Sequence, residues 1–266
     1  MEVEAHSLKQ QIFLDECRKT KIKINVLRIT IVLLFIILWE VTTRYGIVDA
    51  FIYSSPSRII RCFIDMFKSG NIIRHIMVTI YETGLGFILV NGIGILIAIV
   101  LWCKLNIAKI AEPYLVVLNS LPKSALAPLL IVWLGNSMKT IIVAAVSVAV
   151  FGTIISIYTG FVGVNEEKIK LIYTLGGNKR NVLTKVVIPN TLPLIISTMK
   201  VNIGLSLVGV IIGEFLAANE GLGYLIIYGT QVFKLDMVMM SIIVLCIISG
   251  LLYKLISIFE KKCEKY

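Results

Sequence analysis

Long stretches without a charged residue dominate the chain. Thr140 to Asn165 and Met237 to Tyr253 carry none, and each approaches or exceeds the roughly 20 residues that a helix needs to cross a bilayer. Runs of this kind predict about six membrane spans, over residues 27–45, 76–103, 107–135, 138–164, 189–213 and 236–259. The polar intervals divide the sequence into a leader over 1–26, a membrane domain over 27–259 and a tail over 260–266. The first apolar run starts near Ile29 behind a basic leader and lacks a following small-residue cleavage site, so it is expected to remain as an anchor. The fold class is all-α integral membrane.

Shorter periodicities lie between the spans. Ser55-Pro56-Ser57 precedes Ile59, Ile60, Phe63, Ile64 and Phe67, a helical stripe behind an N-cap-like serine that predicts a short amphipathic helix lying at the membrane surface. The third span contains Pro113, Pro122 and Pro128, and Pro189 and Pro193 stand at the entry to the fifth. A proline leaves a backbone carbonyl without its partner, which lipid cannot supply; these helices therefore line a watery path or carry packing kinks.

Composition agrees with the pattern. Hydrophobic residues make up 58% of the chain and charged ones 16%, and the mean hydropathy of +0.91 excludes an ordinary soluble domain. The net charge of +10 is spread between apolar runs; a nucleic-acid-binding stripe would gather it on one face, so nucleic acid is not an expected partner. The basic residues serve topology instead. Lys9, Arg18, Lys19, Lys21, Lys23 and Arg28 precede the first span, Lys104 and Lys109 follow the second, Lys168, Lys170, Lys179, Arg180 and Lys185 follow the fourth, and Lys261, Lys262 and Lys265 close the chain. The alternate connections hold fewer, so both termini are expected on the cytoplasmic side. The 5 cysteines are scattered, without ligand spacing to the 2 histidines, and predict neither a disulfide framework nor a metal site.

The charges within or at the ends of the spans include Glu40, Glu82, Glu112, Lys123, Lys200 and Glu214. Each is costly at the bilayer centre, by about 2.5 to 3.5 kcal/mol on insertion scales. Glu40, Glu112 and Glu214 lie near span ends, where snorkelling to the interface accounts for them. Glu82, Lys123 and Lys200 are the candidates for a polar pathway.

The most informative segment is polar. Residues 166–193 read EEKIKLIYTLGGNKRNVLTKVVIPNTLP, with two apolar stripes (Ile169, Ile172 and Tyr173, then Val182, Leu183, Val186 and Val187) separated by Gly176-Gly177. This predicts two short helices joined by a turn at the cytoplasmic face. Gly176, Val186, Ile188 and Pro189 have the spacing of a signature in which Glu-Ala-Ala, three residues, a glycine and nine residues lead into I-x-L-P. The sequence thus resembles the permease subunits of binding-protein-dependent ABC importers. Lys170, Leu171 and Ile172 stand where that family has Glu-Ala-Ala. Further segments, Glu112-Pro113, LPKSALAPLLIVWLG over 121–135 and GEFLAANEGLGYLI over 213–226, are similar to the nitrate, sulfonate and taurine branch, which includes transporters of thiamine-precursor pyrimidines. Glu82, four residues before Gly86-Phe87, stands where that branch often has a basic residue.

The resemblance implies a pore of two permease copies, a dimer of ATPase subunits that carries ATP and Mg, and an extracytoplasmic binding protein that delivers a small solute. It also implies that the segment 165–188 couples to the ATPase through Gly176, Gly177, Asn178, Lys179, Arg180 and Pro189. Lys179 and Arg180 can be read more simply as inside-positive topology markers. The chain has no G-x-x-x-x-G-K-[ST] phosphate loop, so no cofactor is expected in it. Two rival classes fit less well. A membrane enzyme would cluster acid, base or metal groups at one depth, and an ion-coupled carrier would show internal repeats with matched broken helices.

Overall fold

The computed structural model describes residues 2–263, with side chains described at 18–258 and 260. Lys9, Lys261, Lys262 and Lys265, counted above for topology, lie outside the described side chains. Among the described residues all regular structure is helical. The chain divides into two units, 1–62 and 63–266.

The first unit holds α1 (Glu2–Arg44), α2 (Ala50–Tyr53) and the start of α3 (Pro56–Lys68). The stretch Arg18–Arg44 of α1 is long and apolar enough to cross a membrane. The helix α3 is the amphipathic helix predicted from the serine and the stripe. Its first turn is capped twice: Ser55 Oγ accepts from Arg58 N at 3.4 Å, and Glu40 accepts from Ser57 N at 3.0 Å and Ser57 Oγ at 2.9 Å. Glu40 thus sits near its span end, as expected, but its carboxylate satisfies one orphan amide and one hydroxyl of another helix.

The second unit continues α3 and comprises α4 (Asn71–Cys103), α5 (Leu105–Ser120), α6 (Lys123–Leu134), α7 (Met138–Val162), α8 (Glu166–Thr174), α9 (Lys179–Val182), a π-turn (Leu183–Val187), α10 (Ile188–Ala217), α11 (Leu222–Gln231) and α12 (Leu235–Cys263). Its centre is α7, packed along both α4 and α10. Small residues allow the approach, as is usual where lipid removes the hydrophobic drive between helices. A Cβ built on Gly209 would stand 2.5 Å from Ala145 Cα, and one on Gly213 2.8 Å from Ile141 Cα.

Two expectations change. The third span, predicted as one segment over 107–135, is two helices meeting at a bend of 95°. Leu121 is extended (φ −62°, ψ 140°) and Pro122 forms the N-cap of α6; a proline disfavours the helical region for the residue before it, and the break falls there. The connection after the fifth span also contains the ten-residue helix α11, for which the sequence reading made no provision. Among the described residues five helices are long and apolar enough to cross a membrane, or six crossings if the bent pair counts as one.

Candidate functional sites

The segment 165–188 forms two short helical pieces joined by a glycine turn. Asn165 Oδ1 accepts from Glu167 N at 2.8 Å and starts α8. The helix ends when Gly176 takes φ +79° and Gly177 N donates to Ile172 O at 2.8 Å, the backbone pattern of a left-handed helix stop. Asn178 Oδ1 then accepts from Asn181 N at 3.0 Å and caps α9. The two glycines differ in what they require. Nothing lies within 4 Å of a Cβ at Gly176, where the positive φ is the constraint, whereas a Cβ at Gly177 would meet Ile172 Cγ2 at 2.5 Å and Ile172 O at 2.8 Å.

This turn is fastened to the bundle. Val182, Val187 and Val164 pack with Ala98, Ile157 and Phe161 in one buried cluster, with Ile169, Ile172 and Trp102 against it. Lys179 Nζ donates to Cys103 O at 2.6 Å at the end of α4 and lies 5.5 Å above the Trp102 ring. Lys179 therefore closes a helix C-terminus, a role the topological reading did not contain. Arg180 is exposed. Past the turn, Ile188 N reaches back five residues to Leu183 O, and Pro189, which has no amide hydrogen, follows this π-turn directly. The π-turn runs into α10, so residues 179–217 read as one long helical span.

The pathway candidates fall in three separate places. Glu82 is buried beside Glu214 between α4 and α10, and its Oε2 has no hydrogen-bond partner among the described residues. Lys123 donates to Asn119 O. Lys200 forms an ion pair with Glu260. Glu112 is exposed, but Glu214, expected to snorkel, is 0% exposed. It accepts from Thr79 Oγ1 and Gly223 N, both at 2.6 Å, while Thr79 Oγ1 accepts from Leu222 N at 2.8 Å. The orphan amides at the start of α11 are thus satisfied by residues of α4 and α10. Gly221 and Gly223 leave room for the carboxylate, since a Cβ on either would stand 2.3 Å and 2.8 Å from it. Deeper along the same seam Asn202 Nδ2 donates to Asn91 Oδ1 at 2.8 Å and Thr153 Oγ1 to Asn202 Oδ1 at 3.0 Å.

Beside that seam, a cavity of about 300 Å³ lies between α5, α7 and α10. Asn119, Thr153, Ser156, Ser197, Thr198 and Asn202 contribute its polar lining.

Residues 29–263 match the family described as the binding-protein-dependent transport system inner membrane component. The chain belongs to this family. It is a permease subunit of an ABC importer. A putative aliphatic sulfonates transport permease protein of Bacillus subtilis is 27% identical over 232 residues, 87% of this chain and 84% of its own length. A formylaminopyrimidine transport permease protein of Halalkalibacterium halodurans is 29% identical over 192 residues, covering 72% of this chain and 76% of its own length. A chain of the MetNI methionine ABC transporter in an inward-facing conformation shares the fold, with a TM-score of 0.61 at 16% identity, covering 72% of this chain and 94% of that one.

Sequence reasoning missed some of the permease's internal polar contacts. Asn91, Thr153 and Asn202 are uncharged, and helix-spaced amides and hydroxyls do not stand out in an apolar run. Glu214 gave a signal that was misread: its proximity to Gly221 and Gly223 marked a carboxylate approached closely by backbone.

Proposed function

We propose that this permease forms, with a second copy of itself, the path through a bacterial cytoplasmic membrane for a small solute of the sulfonate or pyrimidine kind, handed over by an extracytoplasmic binding protein. Two ATPase subunits, which carry ATP and Mg, drive it by docking on the turn at Gly176. The observation that carries this reading is the α8–turn–α9 unit: it projects Leu171 and Leu175, 57% and 75% exposed, beside a glycine fixed at φ +79°, while its inner face is packed on the ends of α4 and α7. An apolar tip suits insertion into a groove of a partner. A rigid inner face suits transmission, because a push on the turn moves α4 and α10 together and rocks the spans between inward-open and outward-open arrangements.

Replacing Gly176 by valine tests the coupling role. A β-branched residue at positive φ strains the turn, and nothing lies within 4 Å of the position its Cβ would take. The Gly176→Val variant is expected to insert in the membrane at normal levels, to bind the co-expressed ATPase weakly and to lose solute-stimulated ATP hydrolysis. Normal uptake and normal coupled hydrolysis in that variant would move the contact elsewhere in the segment.

A further inference from the structure

We infer that the pocket between the end of α1 and the start of α3 holds the phosphate of an anionic glycerophospholipid, gripped by Arg44, Arg58 and Arg61 at the membrane–water boundary. The inference depends neither on the solute nor on the coupling segment.

The pocket measures about 440 Å³ and lies wholly within the first unit, room enough for a phosphoglycerol headgroup. Its walls are fixed by the fold. The chain turns between α2 and α3 at Ser54, whose φ is +55°, and Ser54 and Ser55 are both buried. Arg58 donates to Ala50 O at 3.1 Å and so ties α3 to the first residue of α2. Arg58 and Arg61 stand one turn apart on α3, and the last turn of α1 contributes Arg44 to the same lining.

Three arginines against one glutamate leave this lining with two positive charges in excess. Glu40, the one acid, is already committed, because its two oxygens accept from Ser57 N and Ser57 Oγ. Arg44 is attracted by Glu40, yet neither Arg44 nor Arg61 forms an ion pair among the described residues. Asp49 caps α2 by accepting from Phe51 N at 2.8 Å, and neither it nor Asp65 lines the pocket. Like charges gathered in this way repel one another, and a bound anion offsets the repulsion. The planar guanidinium fork matches two oxygens of a phosphate at once.

Position selects a lipid over a soluble anion. Arg44 ends the stretch Arg18–Arg44 that is apolar enough to cross a membrane, which sets the pocket at headgroup level. Exposed apolar and aromatic side chains alternate with the arginines along the chain: Tyr45 and Ile47 after α1, Phe51 and Tyr53 on α2, Ile60 and Ile64 on α3. Side chains of this kind sink into the acyl boundary while neighbouring arginines reach the phosphates. A free phosphate, or the acidic face of a protein, would use the arginines and leave the apolar residues in water. A phospholipid satisfies both. The basic leader assigns the start of α1 to the cytoplasm, so three arginines at its far end do not serve topology.

The test uses the full-length permease, co-purified with its ATPase and placed in phosphatidylcholine nanodiscs. A trace of phosphatidylglycerol or phosphatidylcholine carrying a photoreactive group beside the phosphate is added, and crosslinked peptides are identified by mass spectrometry. The phosphatidylglycerol probe is expected to label residues 44–61 about tenfold more than the phosphatidylcholine probe at equal concentration. Unlabelled phosphatidylglycerol in the nanodisc should displace it, and millimolar inorganic phosphate should not. A variant combining Arg44→Gln and Arg61→Gln should lose the preference, whereas Lys68→Gln, which removes a charge of the same helix outside the pocket, should keep it. Co-purification of the ATPase with the double variant checks its folding, and the comparison of the two probes on the unaltered complex stands without it. Equal labelling by both probes would reduce the pocket to ordinary lipid contact and overturn the inference. So would an undiminished preference in a folded double variant. Displacement by inorganic phosphate would make it a site for free anions, and loss of all labelling on addition of the binding protein would make it a protein contact; either result overturns the lipid assignment.

Discussion

Lys179 illustrates how a residue of the coupling segment can hold the segment without touching a partner. Its ammonium donates to Cys103 O, the last carbonyl of α4, and lies over Trp102, so a Lys179→Ala change removes one charge-assisted hydrogen bond and one cation–π contact. At an exposed site these are worth about 1 to 3 kcal/mol together. The variant is expected to remain inserted but to show faster proteolysis of the 165–188 segment and reduced coupled hydrolysis, whereas Arg180→Ala, which alters no contact of the fold shown here, should leave proteolysis unchanged. Gly177→Ala should behave as a packing lesion, because its Cβ would meet Ile172 Cγ2 at 2.5 Å. Glu214 is the more severe case. Glu214→Ala strands the Gly223 amide and the Thr79 hydroxyl in a buried site, at about 1 to 3 kcal/mol each. The variant should lose thermal stability in detergent by more than Glu214→Gln, which keeps an acceptor.

Among the elements, the π-turn before α10 sets the rotational phase between the coupling segment and the membrane bundle. A π-turn is an α-helix with one residue inserted. Deleting the exposed Thr184 restores an α-helical register and turns everything N-terminal to it by about 100° about the helix axis. The expected result is a permease that inserts but does not retain its ATPase on co-purification. How far such elements could be read from the sequence depends on where their determinants lie. The long spans were legible because lipid demands unbroken apolar length, and α3 was legible because its serine and its stripe are local. The break at Pro122 was visible as a proline, but its 95° angle depends on what the two arms pack against. The helix α11 escaped notice because its first amides are capped by Thr79 of α4 and Glu214 of α10; the α4 half of that cap leaves no mark in the residues beside the helix, and the α10 half was read as a span-end charge. The turn at Gly176 was anticipated from the glycine pair between apolar stripes, while the attachment of Lys179 to α4 was not, because that contact joins positions 76 residues apart.

For the whole molecule, the bent pair α5–α6 decides the parity of the topology. Counted as one crossing it makes six with the five long spans, and the termini share a side; as a re-entrant loop it leaves five, and they face opposite sides. The basic leader and the basic residues near the end of the chain favour the even count. Reporter fusions at the two ends are expected to place both in the cytoplasm, and a C-terminal reporter active only outside would convert the pair to a re-entrant loop. The isolated chain is expected to hydrolyse no ATP in a phosphate-release assay, and to support hydrolysis only in complex with its ATPase.

The polar seam of α4 also sets a schedule for synthesis. Thr79 bonds a residue 135 positions later and Asn91 one 111 positions later, so α4 leaves the ribosome carrying Thr79, Glu82 and Asn91 long before α10 exists. Each such group is costly when exposed to lipid, and α4 is expected to be held by the insertion machinery while α5 to α9 are made. Arrested nascent chains ending before Glu214, with a photo-crosslinker at the exposed Tyr81, are expected to attach to the insertase, and chains extended past Gln231 to lose that attachment. The order in which the spans are released to the bilayer is thus written in the distance along the chain between Glu82 and Glu214.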